Sequence, residues 1–187
     1  MSAPIRLIHL LVLLTIVGFG FPRFTEAHRL EEYLQATRIS LELERVGMEI
    51  NLTPGAAVAD HIFAGIDQDR NGTISPDEAA AYARLVISSL TLSVDDRVCE
   101  LKVDGYVFPQ LADMRSGEGI IRLRASAKFP TLSIGPHRLV FANTHRSDIG
   151  VYLINALMPT DGRIRITNQA RDTLQKEFKM EYKISEP

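Results

Sequence analysis

The sequence predicts a mainly β protein, an antiparallel β-sandwich that carries one helix–loop–helix insertion. Three observations predict it. Apolar residues recur at every second position over most of the chain after residue 33, the period of a half-buried strand. Asp, Gly and Pro pairs punctuate these segments as turns. Only residues 55–90 leave the pattern and take on a helical composition.

The first 27 residues stand apart. Arg6 precedes an apolar run from Leu7 to Phe21, Pro22 ends it, and Thr25-Glu26-Ala27 offers small residues before a cleavage point. This layout predicts a secretory signal over 1–27, and the run is shorter than the ~20 apolar residues that cross a bilayer. The expected mature protein is a single domain of residues 28–187 in an extracytoplasmic space, periplasmic or secreted. It meets a membrane only through the leader if that is not cleaved. Cleavage removes two cations (Arg6, Arg23) and one anion (Glu26), which takes the net charge from −2 to −3.

Ile39, Leu41 and Leu43 alternate with Arg38, Ser40 and Glu42, and Val46, Met48, Ile50 and Leu52 alternate with Gly47, Glu49 and Asn51. With Glu44-Arg45 as the turn, the pair predicts a hairpin. After residue 90 the alternation returns at Leu90/Leu92/Val94, Cys99/Leu101/Val103, Ile121/Leu123/Ala125, Leu139/Phe141, Val151/Leu153, Ile164/Ile166 and Phe178/Met180/Tyr182. About nine strands with no helix after residue 90 make a sandwich, its core drawn from segments outside 55–90.

Composition narrows the function. A net charge of −2 without a basic cluster excludes a nucleic-acid surface, which needs Lys and Arg gathered on one face. Cys99 is the only cysteine, so no internal disulfide forms and the core must hold the fold alone. No Gly-x-Ser-x-Gly elbow, His-Glu-x-x-His pair or phosphate-cradling glycine loop is present, and no enzyme is expected. Glu118 between glycines reads as a turn residue, and Arg122 and Arg124 as a solvated strand face.

The insertion holds the chemistry. Ala56, Ala57, Val58, Ile62, Phe63 and Ile66 precede a polar loop, Asp67 to Glu78, and Ala79 to Ala83, Leu85 and Val86 follow it. Pro76 sits in the first turn of the second helix, where its missing N–H costs nothing. Oxygen donors fall at loop positions 1, 3, 5, 9 and 12, with Gly72 at position 6 and Ile74 at position 8. That spacing wraps a chain around calcium, a hard cation that takes six to eight oxygens.

Residues 55–90 thereby resemble the EF-hand family. The resemblance implies that Asp67, Asp69 and Asn71 coordinate Ca2+ through their side chains and Thr73 through its carbonyl. Ser75 would act through a water, and Glu78 bidentately. Asp77 would point away. Ala79 departs from the larger apolar residue usual after the closing glutamate, and no second loop exists to pair with Ile74, which must pack on the sandwich or on another chain. Three coordinating carboxylates and a lone loop imply extracellular-type affinity, a dissociation constant of ~10⁻⁴–10⁻³ M, and a structural or interaction role.

Histidines offer an alternative. Cleavage after Ala27 makes His28 the N-terminus, and its amine and imidazole with His61, His137 or His145 would suit copper or nickel. No close His pair supports this in sequence. Ala27-His28-Arg29-Leu30 also resembles the mature start of the extracytoplasmic head of HupE/UreJ-type nickel and cobalt permeases, loosely over 28–170. The permease's membrane helices are missing, and transport is not implied. The chain is more similar to stand-alone exported EF-hand proteins of bacteria.

Overall fold

The computed structural model describes residues 30–186; the apolar leader, its cleavage point and His28 lie outside the described residues. Residues 33–54 form the expected hairpin, with β1 (Tyr33–Leu41) and β2 (Arg45–Pro54) antiparallel and closing on the Leu41–Val46 pair. Alternation places Tyr33, Ile39 and Leu41 inward beside Val46, Met48, Ile50 and Leu52. It also sends Gln35 and Thr37 inward, against the usual preference.

The chain continues through α1 (Ala59–Ile66), α2 (Pro76–Ser88), β3 (Leu90–Val94), β4 (Arg97–Val98), β5 (Lys102–Val107) and α3 (Leu111–Arg115). It ends with β6 (Ile121–Lys128), β7 (Gly135–Asn143), β8 (Gly150–Ala156), β9 (Ile164–Arg171) and β10 (Glu177–Ile184). Two five-stranded sheets result, ordered β5-β6-β2-β1-β8 and β4-β3-β7-β10-β9. Among the described residues, seven of the eight strand pairings are antiparallel. The exception, β1 with β8, is parallel and corrects the expectation of a purely antiparallel sheet. A parallel neighbour needs a crossover, and no local pattern marks one because the two strands are separated by most of the chain.

Three further differences have physical causes. Helix α3 is a turn of helix after residue 90, too short to show a 3.6-residue period; it buries Met114 and joins α1 through the Arg115–Asp60 ion pair at 2.6 Å. The two-residue β4 arises where Asp95 and Asp96 both take positive φ (47° and 64°), the conformation of a tight hairpin turn. Finally, the core is not confined to the strands. One apolar cluster joins Ile39, Ile50 and Leu123 of the first sheet to Leu92, Phe141 and Met180 of the second, and takes in Ile62, Ile66, Ala83 and Val86 of α1 and α2. Burying Ile62 and Ile66 alone is worth about 1.5–3 kcal/mol each, so the insertion is part of the core. Ile74 is partly buried against the same cluster, one of the two placements expected of it.

Candidate metal centre

The loop between α1 and α2 is built by its own polar side chains. Asp67 caps the end of α1, its N–H donating to the Phe63 carbonyl at 2.8 Å. Its carboxylate is the buried one of the group, 5% exposed, and accepts the Asn71 N–H at 3.1 Å and the Gly72 N–H at 2.9 Å. These bonds need the chain to double back, which it does through Arg70 (φ 60°) and Gly72 (φ 83°). At Gly72 the left-handed backbone is what demands glycine.

The rest of the loop closes in the same way. Asp69 accepts from the Asn71 N–H at 3.1 Å and from its side-chain amide at 2.8 Å. The Asn71 side-chain oxygen accepts the Thr73 N–H at 2.8 Å. Ser75 is the extended N-cap of α2, Pro76 its first residue, and Glu78 completes a capping box in which two otherwise orphan donors are satisfied reciprocally. Glu78 Oε2 accepts the Ser75 N–H at 2.9 Å and its hydroxyl at 2.7 Å. Glu78 Oε1 reaches back across the loop to the Gln68 N–H at 2.6 Å and the Asp69 N–H at 3.3 Å.

Carboxylate oxygens of Asp67, Asp69 and Glu78 thus lie within 4.8 Å of one another. Two oxygens on opposite sides of an ion with bonds of ~2.4 Å are separated by about that distance, so one cation can touch all three. The donors are all oxygens, the choice of a hard cation. Repulsion among the anions is offset by the inward N–H groups and by the positive end of α2. Hydrogen bonds from the Ser75 backbone and hydroxyl, with those from Asp69 and Gln68, pull the Glu78 carboxyl down to about 2. It is ionised at any pH where the protein would meet a cation.

All six residues singled out by spacing therefore enter one bonded loop. Asp67, Asp69 and Glu78 converge directly, Asn71 and Thr73 are drawn to them, and Ser75 acts as a helix cap on Glu78. Asp77 is exposed, and so is Asp69. Among the described residues, His61, His137 and His145 do not gather. His61 is exposed on α1, and His137 sits between the Asp95 carboxylate and the Ser133 carbonyl, both at 2.7 Å. His145 meets the Tyr82 hydroxyl through Nε2 at 3.1 Å. Among the described residues, the three loop carboxylates are the one convergent group of metal-ligating side chains.

Behind the loop lies a buried polar network that spacing could not reveal. Tyr82, one helical turn after Glu78, bonds His145 and also the Tyr33 hydroxyl at 3.0 Å. The His145 carbonyl accepts from Gln35 at 2.7 Å and from Tyr152 at 2.8 Å, and Asn143 bonds both Gln35 and the His145 N–H. A Cβ at Gly150 would come within 2.8 Å of the Arg146 carbonyl, Tyr152 and Gln35, so only glycine fits this crossing. Apart from the bonds that Asn143 and Tyr152 make to His145, the partners stand 49 to 110 residues apart and leave no local signature. No protein-family model matches the sequence, and comparison with curated proteins finds no match.

Proposed function

We propose that the protein is an exported calcium-binding protein, with the ion held by a single EF-hand loop over residues 67–78. The observation that carries the reading is the convergence of Asp67, Asp69 and Glu78 at the mouth of a helix pair. Asn71, Thr73 and Ser75 complete a set made of oxygen alone. Calcium is favoured over magnesium by the loop itself. Magnesium demands an octahedron at about 2.0–2.1 Å and gives up its waters reluctantly, whereas calcium accepts a wide, flexible shell. With α1 and α2 rooted in the core, the ion serves as a clip on a rigid body, which supports a structural or interaction role over catalysis.

Calorimetric titration of the protein prepared from its native export compartment tests this. One calcium per chain with a dissociation constant near 10⁻⁴–10⁻³ M, and much weaker magnesium binding, is expected. No calcium heat up to ~10 mM, a hundredfold above the tighter limit, would remove the reading. N-terminal sequencing of the same sample should begin at His28.

A further inference from the structure

A groove of about 700 Å³ opens where α2 packs beside β3 and β5, and none of the acidic loop's carboxylates line it. Its floor is apolar, with Ile87, Leu90, Leu92 and the thiol of Cys99 each no more than 8% exposed. That volume lies in the ~300–1,000 Å³ range of small-molecule sites, which pair an apolar lining with a few placed polar groups. Here those groups stand at the mouth. Arg84, on the exposed face of α2, has no carboxylate partner among the described residues, and Lys102 has only the exposed Glu100 at 3.9 Å. The mouth therefore carries two cations against one carboxylate, on a protein whose net charge is negative.

We propose that this groove binds a small amphipathic carboxylate, its hydrocarbon tail on the Leu90–Leu92–Cys99 floor and its head paired with Arg84. A guanidinium takes a carboxylate by two parallel hydrogen bonds, and each CH₂ moved from water to the floor adds a similar increment of affinity. An added peptide strand does not fit. The edge of β3 is already closed, by β4 at Ser93 and Val94 and by the Cys99 N–H, which donates to the Leu92 carbonyl at 2.8 Å. The groove contains none of the loop ligands, so the proposal stands or falls apart from calcium.

Cys99 supplies the readout. As the only cysteine, it reports occupancy of the floor through its rate of reaction with a maleimide in the full folded protein. Hexanoate, octanoate, decanoate and dodecanoate, each below its micelle threshold, should slow labelling. The apparent affinity should rise about fourfold per CH₂, the equivalent of ~0.8 kcal/mol, and level off once the floor is covered. Arg84→Gln, at an exposed site, should weaken decanoate tenfold or more and leave decanol unchanged. Ser88→Trp, also exposed and one turn beyond Arg84 on the groove-lining side of α2, should fill the groove and abolish protection without lowering the melting temperature. Protection that is absent, independent of chain length, or equal for decanol and decanoate would overturn the proposal, as would decanoate binding indifferent to Arg84→Gln.

Discussion

Glu78 holds two jobs that can be separated. Its charge completes the acidic cluster, and its oxygens complete the capping box of α2 and bond Gln68 and Asp69. A glutamine at this position keeps the one oxygen that closes the capping box, since Glu and Gln both serve there, but gives up the acceptor used by Gln68 and Asp69 and the bidentate anion that calcium would require. Glu78→Gln should therefore weaken calcium by at least tenfold while changing the cation-free stability by less than about 1 kcal/mol, the value of a typical cap. Calorimetry and a parallel thermal melt check both halves, and equal losses in both would mean that the residue acts on the helix alone. This residue, like Asp67 and Gly72, was legible because its role is fixed by distance along the chain. Tyr33, Gln35 and Asn143 were not, because their partners are set by which strands become neighbours.

At the level of elements, α2 links the loop to the interior. Glu78 and Tyr82 lie one turn apart on it, and Tyr82 ends in the buried network with Tyr33 and His145. Strand alternation was readable for β1, β2, β3, β6 and β7, whose faces differ in polarity. The parallel contact of β1 with β8 and the five-residue α3 were not, since neither leaves a periodic trace. The network has a pH signature. Burial, then the neighbouring Arg146, depress the His145 imidazole to about 4, against a weaker opposing pull from Asp148. A histidine depressed when folded stabilises the protein fully above its unfolded value of ~6.5, and that contribution is lost as pH falls toward 4. Native stability should fall across this window by up to about 1.4 kcal/mol per pH unit from this residue alone. Chemical denaturation at pH 7 and pH 4.5 should show the drop shrinking in His145→Gln, while the carboxylate contributions common to both proteins cancel. An identical drop in the two proteins would remove His145 as the cause.

For the whole molecule the question is whether the acidic loop with its two helices and the sandwich unfold together. The sequence places all helical residues in one insertion and invites the view that the sheets form a core without it. The structure joins them, with Ile62, Ile66, Ala83 and Val86 in the same cluster as Phe141 and Met180. A shared core makes one cooperative unit, and domains of this size commonly unfold in a single step. Calcium bound only to the folded state adds RT ln(1 + [L]/Kd). With millimolar calcium and a dissociation constant near 10⁻⁴ M, that is roughly 1.4 kcal/mol. At this chain length it corresponds to a melting shift of about 3–5 °C. Chelation should therefore lower the melting temperature by that amount and leave one transition, seen identically by far-ultraviolet circular dichroism and by tyrosine fluorescence. Two separate transitions in chelator would mean that α1 and α2 come away first and that their buried side chains add little to the sheets. A single transition with no shift would leave the loop shape intact but show that calcium does not bind it.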